Sequence, residues 1–159
     1  MKKLKVNVEE VTLLMETQDR IDADYYLDTE TGETLAMPGE VMRAAEEGES
    51  TEGFPDWELQ LIPQAKEILK GSPRYIEIPV RPSREAYDLM VAFVRTLTDQ
   101  KLQEELYSAL KGKGAFRRFK DALREKPEVE KEWFKFKGER DKEEVKDWLE
   151  SIGIELKED

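Results

Sequence analysis

Apolar residues keep a mixed spacing up to about Pro82 and a helical spacing beyond it. In the first stretch, Asn7 followed three residues later by Glu10 forms a capping-box pattern, and Val8, Val11, Leu14 and Met15 share one helical face. This predicts a helix from Val8 to about Gln18. Two short runs rich in β-formers, Ala23–Leu27 and Glu33–Met37, flank an Asp-Thr-Glu-Thr-Gly turn. They predict a β-hairpin in which Gly32 takes the left-handed position. Pro38 and Gly39 end it, Val41–Glu47 reads as a short helix stopped by Gly48, and 48–55 reads as a mobile loop. Trp57, Leu59 and Leu61 alternate with polar residues and predict a strand, Pro63 opens a short helix to Lys70, and Arg74–Pro79 alternates as a further strand.

After Pro82 the period is close to 3.6. Ser83 is placed to cap a helix carrying Ala86, Leu89, Met90, Phe93, Val94 and Leu97, and Thr98 to cap the next, with Leu102, Leu106 and Leu110. Gly112 and Gly114 precede a third helix with Phe116, Phe119 and Leu123, and Pro127 fits the first position of a fourth bearing Val129, Trp133 and Phe136. Val145, Trp148, Leu149 and Ile152 lie roughly 100° or more away from that face. With Gly138 between the two sets and Asp141 and Glu144 spaced as a capping box, a break and a fresh helix are expected there, ended by Gly153. The expected class is α+β. An N-terminal helix and a small antiparallel sheet, made of the hairpin plus one or two further strands, precede a C-terminal bundle of four to five helices. The expectation is one domain over 1–159, with an α/β portion (1–79) hinged at Pro79–Pro82 to a helical portion (80–159).

Charge refines this division. Residues 1–80 hold 8 Lys and Arg against 18 Asp and Glu, a balance of −10, whereas residues 81–159 hold 18 against 19. Nearly all of the net charge of −11 therefore sits in the first portion. Within the second, residues 111–126 gather seven cations (Lys111, Lys113, Arg117, Arg118, Lys120, Arg124, Lys126) against Asp121 and Glu125, a local +5.

The chain has no Cys and no His. Without them there is no disulfide, thiol nucleophile, Ser-His-Asp arrangement or ordinary zinc site. The absence of Cys fits a reducing cytoplasm. Met1–Val6 is basic, but Asn7, Glu9 and Glu10 interrupt it before an apolar signal core forms, and no run of about 18 apolar residues suits a membrane span. The expectation is a cytoplasmic protein with no cofactor, no metal and no catalytic residues.

Three local features bear on function. Lys113, Arg117, Arg118, Lys120 and Arg124 cluster at the beginning and along one side of a predicted helix, where unpaired N–H groups and the dipole favour anions. The segment lacks the spacing of a nucleotide-binding loop. It reads either as an amphipathic helix whose cations meet the acidic first portion or as a contact for phosphate or RNA. Asp22, Asp24, Asp28 and Glu30 do not match a calcium loop and read as the solvated edge of the hairpin. Trp133, Phe134 and Phe136, beside Arg140 and ahead of Trp148, read as core rather than as interface anchors, because large apolar residues are few.

Tyr25–Glu33 (Tyr-Tyr-Leu-Asp-Thr-Glu-Thr-Gly-Glu), Arg74–Pro79 (Arg-Tyr-Ile-Glu-Ile-Pro), the block Ala109–Asp121 with its Gly-Lys-Gly-Ala-Phe-Arg-Arg-Phe core, and Trp133, Phe136 and Trp148-Leu149 occur in one order over nearly the whole chain. In them the chain resembles a bacterial family of uncharacterised small acidic proteins. The resemblance implies a single domain and marks 112–121 as characteristic, and it brings no activity and no catalytic residue. The functional expectation is accordingly a non-enzymatic protein-interaction or regulatory module docking its partner on the helix from Ala115 to Glu125. The alternative is a binder of a phosphate-bearing ligand or RNA through the cations of 111–126.

Overall fold

The computed structural model describes residues 1–158. In chain order its elements are β1 (Lys2–Leu4), α1 (Val8–Glu16), β2 (Ala23–Asp28), β3 (Thr34–Pro38), α2 (Gly39–Glu47), α3 (Asp56–Leu59), α4 (Ile62–Leu69) and β4 (Tyr75–Glu77). There follow α5 (Ser83–Arg95), α6 (Gln100–Ala109), α7 (Ala115–Arg124), α8 (Pro127–Ser151) and β5 (Ile154–Leu156). The fold is α+β, with an antiparallel sheet in the order β3-β2-β4 and a parallel pair β1-β5. Two units emerge, residues 1–80 with 145 onward, and residues 81–144.

In the first unit β2 is the central strand, pairing Leu27 with Thr34 on one side and with Ile76 on the other. Alternation sends its neighbouring side chains to opposite faces. Leu27 joins a core of Val11, Met15, Ile78, Val145, Leu149 and Ile154, while Tyr26 joins Met37, Val41, Ala65 and Tyr75. Both faces are thus covered, and each fully buried aliphatic side chain contributes roughly 1.5–3 kcal/mol. The hairpin forms as predicted. Its Gly32 has φ +81°, and an added Cβ would lie 2.1 Å from the Lys5 carbonyl oxygen, so both the turn and the close approach require glycine.

Asn7 accepts from the Glu10 N–H at 3.0 Å, the predicted cap of α1. The expected strand at Trp57–Leu61 is not formed. Asp56–Leu59 is a single helical turn instead, with the Glu58 and Leu59 N–H groups donating to the Pro55 carbonyl at 3.0 and 3.2 Å. A short apolar alternation does not distinguish strand from helix, and here Glu58 is buried while Trp57 is 58 % exposed. The β1-β5 pair was not anticipated either. Lys2 aligns with Ile154 and Leu4 with Leu156, and three-residue strands offer too few positions for a readable alternation.

The second unit comprises α5, α6, α7 and α8 up to Glu144. Its core joins Met90, Phe93, Val94, Leu102, Leu106, Leu110, Phe119, Leu123 and Trp133. Trp133 meets Phe93 and Phe119 edge-on, at centroid distances of 5.3 and 5.2 Å, the arrangement favoured by ring quadrupoles. Two expected caps shift by one residue. Ser83 is already helical behind an N-cap at Pro82, and Asp99, not Thr98, accepts from the Leu102 N–H at 3.1 Å.

The expected break at Gly138 is absent, and α8 runs without interruption from Pro127 to Ser151. Side-chain contacts bridge the glycine, with Lys137 Nζ 2.6 Å from Asp141 Oδ2 and the Arg140 guanidinium 4.9 Å from the Phe136 ring centroid. The change of apolar face is real but has another cause. Val129, Trp133 and Phe136 serve the core of the second unit, whereas Val145, Trp148, Leu149 and Ile152 serve that of the first.

Candidate functional site: the exposed face of α7

The loop before α7 is shaped by one side chain. Arg118 Nε donates to the Ala109 carbonyl at 3.0 Å, and its two Nη groups donate to the Lys111 and Lys113 carbonyls. Carbonyls at a helix C-terminus lack intrahelical partners, and a planar guanidinium satisfies several at once. Gly114, at φ +79°, fits this wrapping, because a Cβ there would sit 3.1 Å from Arg118 Nη1. Arg118 therefore ties the end of α6 to the start of α7. Of the five candidate cations it is the one whose hydrogen bonds go to backbone.

The others are exposed on the surface of α7 and its leading loop. Phe116, Lys120 and Arg124 follow at intervals of four and form a ridge along the helix. Arg117 Nε and Arg124 Nη1 lie 3.9 and 3.6 Å from the Asp121 carboxylate, with side chains 90 % and 72 % exposed. Such pairs are largely screened by water and hold their cations weakly. Lys113 and Lys120 make no ion pair among the described residues.

Two depressions adjoin this ridge and share Lys120 and Arg124. One, of about 400 Å³, is lined by Phe116, Arg117, Lys120, Asp121 and Arg124. The other, of about 190 Å³, lies between α7 and α8 and is lined by Lys120, Leu123, Arg124, Glu130, Trp133 and Phe134. The expected grouping of Phe116 with Phe119 and Leu123 is corrected, since Phe119 and Leu123 are buried and Phe116 is 38 % exposed. The aromatic cluster divides as well. Trp133 is core and Phe136 packs against it, while Phe134 is 61 % exposed. Helical spacing already contains this split, because positions 133 and 136 share a face and 134 does not.

The hairpin carboxylates do not behave as one solvated edge. Asp28 is buried, accepting from Arg74 Nε at 3.0 Å and Nη2 at 2.9 Å and from the Glu30 N–H at 2.9 Å. The Arg74 hydrogen bond holds its carboxyl below the usual range. Among the described residues no group of three or more Asp, Glu, His or Cys side chains is arranged to hold a metal ion. Nor is any helix among them long and apolar enough to cross a membrane.

A model of the uncharacterised protein family UPF0158 matches residues 4–158. The chain is also 26 % identical over 156 residues to the UPF0158 protein PA5073 of Pseudomonas aeruginosa, covering 98 % of this chain and 88 % of that protein. No solved structure matches it. No activity is assigned by the family description, and the bacterial resemblance carried by the Ala109–Asp121 block and its companions resolves to this group: the chain belongs to the uncharacterised protein family UPF0158.

Proposed function

We propose that this protein is a non-enzymatic, cytoplasmic interaction module that docks an acidic segment of another protein on the exposed face of α7. The observation that carries the reading is the ridge of Phe116, Lys120 and Arg124 beside Arg117, whose cations are solvent-exposed and find only Asp121 as an ion-pair partner among the described residues. Exposed cations interleaved with exposed aromatics offer charge pairing and apolar contact together, the combination on which interfaces concentrate their binding energy. A chain lacking both His and Cys has few routes to catalysis, which supports a binding role. A net charge of −11 favours a partner recognised locally over a long polyanion such as RNA, which it repels at a distance.

Fluorescence anisotropy with a labelled polyglutamate peptide tests this. Saturable binding at low salt is expected, weakened at high salt and reduced about tenfold or more by Arg117→Glu combined with Arg124→Glu. Equal binding by the wild type and the double variant overturns the reading. Preferential binding of single-stranded RNA over the peptide transfers the surface to the phosphate-binding alternative.

A further inference from the structure

The depression between α7 and α8 differs from its neighbour in its floor. The larger one is walled by charged side chains and Phe116, whereas the smaller rests on buried Leu123 and Trp133 with exposed Phe134 at its lip. Its two sides also differ in charge. Helix α7 contributes Lys120 and Arg124, and α8 contributes Glu130. An apolar floor with cations along one edge and a carboxylate on the other is a directional recognition element.

We infer that this depression is an anchor site for one large apolar side chain, aromatic by preference, in an acidic peptide segment whose carboxylates lie toward Lys120 and Arg124. The inference rests on the docking face proposed above and specifies its partner. Three features support it. The volume of about 190 Å³ is that of a single side-chain site and not of a cofactor-sized pocket. Trp133 is fixed by its edge-on contacts with Phe93 and Phe119, so the floor is preformed and a guest need not order it. Charge complementarity selects the occupant: flanking carboxylates pair with Lys120 and Arg124, while Glu130 repels them from the α8 side and so sets the orientation of the chain. Lys120 and Arg124 also line the larger depression, so a peptide anchored here continues over Phe116 and Arg117.

Calorimetric titration of the full chain with three short probe peptides tests the anchor: an acidic peptide with one central Trp, the same peptide with Ala in its place, and the Trp peptide with its acids replaced by Ser. The acidic Trp probe is expected to bind about tenfold tighter than the acidic Ala probe, and the Ser probe to bind least. Phe134→Ser, an exposed change checked by an unaltered melting curve, is expected to shrink the tenfold gap to about threefold or less and to leave the acidic Ala probe unaffected. Glu130→Gln is expected to tighten both acidic probes about twofold. Equal binding of the two acidic probes, or a gap that survives Phe134→Ser, overturns the anchor and leaves the acidic docking face standing. Failure of both acidic probes to bind overturns the two together, as does displacement of the acidic Trp probe by single-stranded RNA at equal concentration.

Discussion

Arg81 Nη2 donates to Asp141 Oδ1 at 2.9 Å across 60 positions of sequence, and both residues are buried. Glu144 accepts from the same nitrogen, and Lys137 Nζ lies 2.6 Å from the other Asp141 oxygen. Burial works against the Arg81 charge, but hydrogen bonding to Glu144 and the nearby carboxylates outweigh it and its pKa is raised. This network fastens the segment entering α5 to the part of α8 that spans Gly138. It also explains why Asp141 and Glu144, spaced like a cap, sit in mid-helix.

Removing one member of this buried pair leaves the other with a single charged partner among those described, Glu144 for Arg81 or Lys137 for Asp141. Arg81→Met or Asp141→Leu alone is expected to lower stability by about 3–5 kcal/mol, and the double substitution by clearly less than the sum, because it removes both buried charges together and leaves neither facing the other's apolar replacement. Urea denaturation of the two single variants and the double variant gives the coupling energy directly. Additive losses would show that the network is not cooperative.

Two glycines are expected to respond in opposite directions. Gly32→Ala meets both a φ of +81° and a 2.1 Å contact with the Lys5 carbonyl, and is expected to destabilise by about 2 kcal/mol or more. Gly138→Ala lies inside α8 with nothing within 4 Å of the added Cβ, and is expected to stabilise by about 0.4–1 kcal/mol. Chemical denaturation midpoints report both.

Carboxyl groups give the first unit two pH dependences of opposite sign. Hydrogen bonding to Arg74 lowers the Asp28 pKa, so as pH falls the unfolded chain takes up its proton first. The stabilisation is complete above the ordinary Asp value of about 3.9 and fades as pH drops toward the lowered one. Glu58 is the reverse case. Its pKa is raised by a hydrogen bond with Glu40 and by burial, so its contribution is full below about 4.3 and is lost as pH rises through the raised value. Stability measured against pH is therefore expected to fall less steeply below pH 4 in Asp28→Asn than in the wild type. Glu58→Gln is expected to exceed the wild type near neutrality and to converge with it below pH 4.

Arg118 and Arg117 adjoin in sequence and differ in role. Arg118→Ala releases three carbonyls around the loop before α7 and is expected to lower stability by about 1 kcal/mol. Arg117→Ala, whose partner is a screened ion pair at 3.9 Å, is expected to change it by less than about 0.5 kcal/mol. Thermal melts compare them, and binding of an acidic peptide is expected to rank them the other way at equal folded fraction.

Much of the architecture follows from local signals. The Asn7 cap, the Asp28–Glu33 turn, the start of α8 at Pro127 and the apolar faces of α5, α6 and α7 are written in spacings of a few residues, and a short window of backbone physics is enough to read them. The cation cluster of α7 was equally visible. Its division between Arg118, bonded to backbone, and the exposed Arg117, Lys120 and Arg124 was not, because the carbonyls that hold Arg118 are presented only once the loop closes.

What the sequence determined by itself was therefore the hairpin, the first helix and the helices after Pro82 up to α7, the concentration of acid in the first 80 residues and the exclusion of His and Cys chemistry. Tertiary structure decided the rest. It turned Trp57–Leu59 into a helical turn, paired β1 with β5 from opposite ends of the chain, buried Asp28 against Arg74, carried α8 through Gly138 and left Phe116 and Phe134 in solvent. The β1-β5 pairing and the burial of Asp28 depend on partners far away in sequence. Local periodicity specifies the face that a residue occupies, whereas burial and pairing are fixed only by what that face meets.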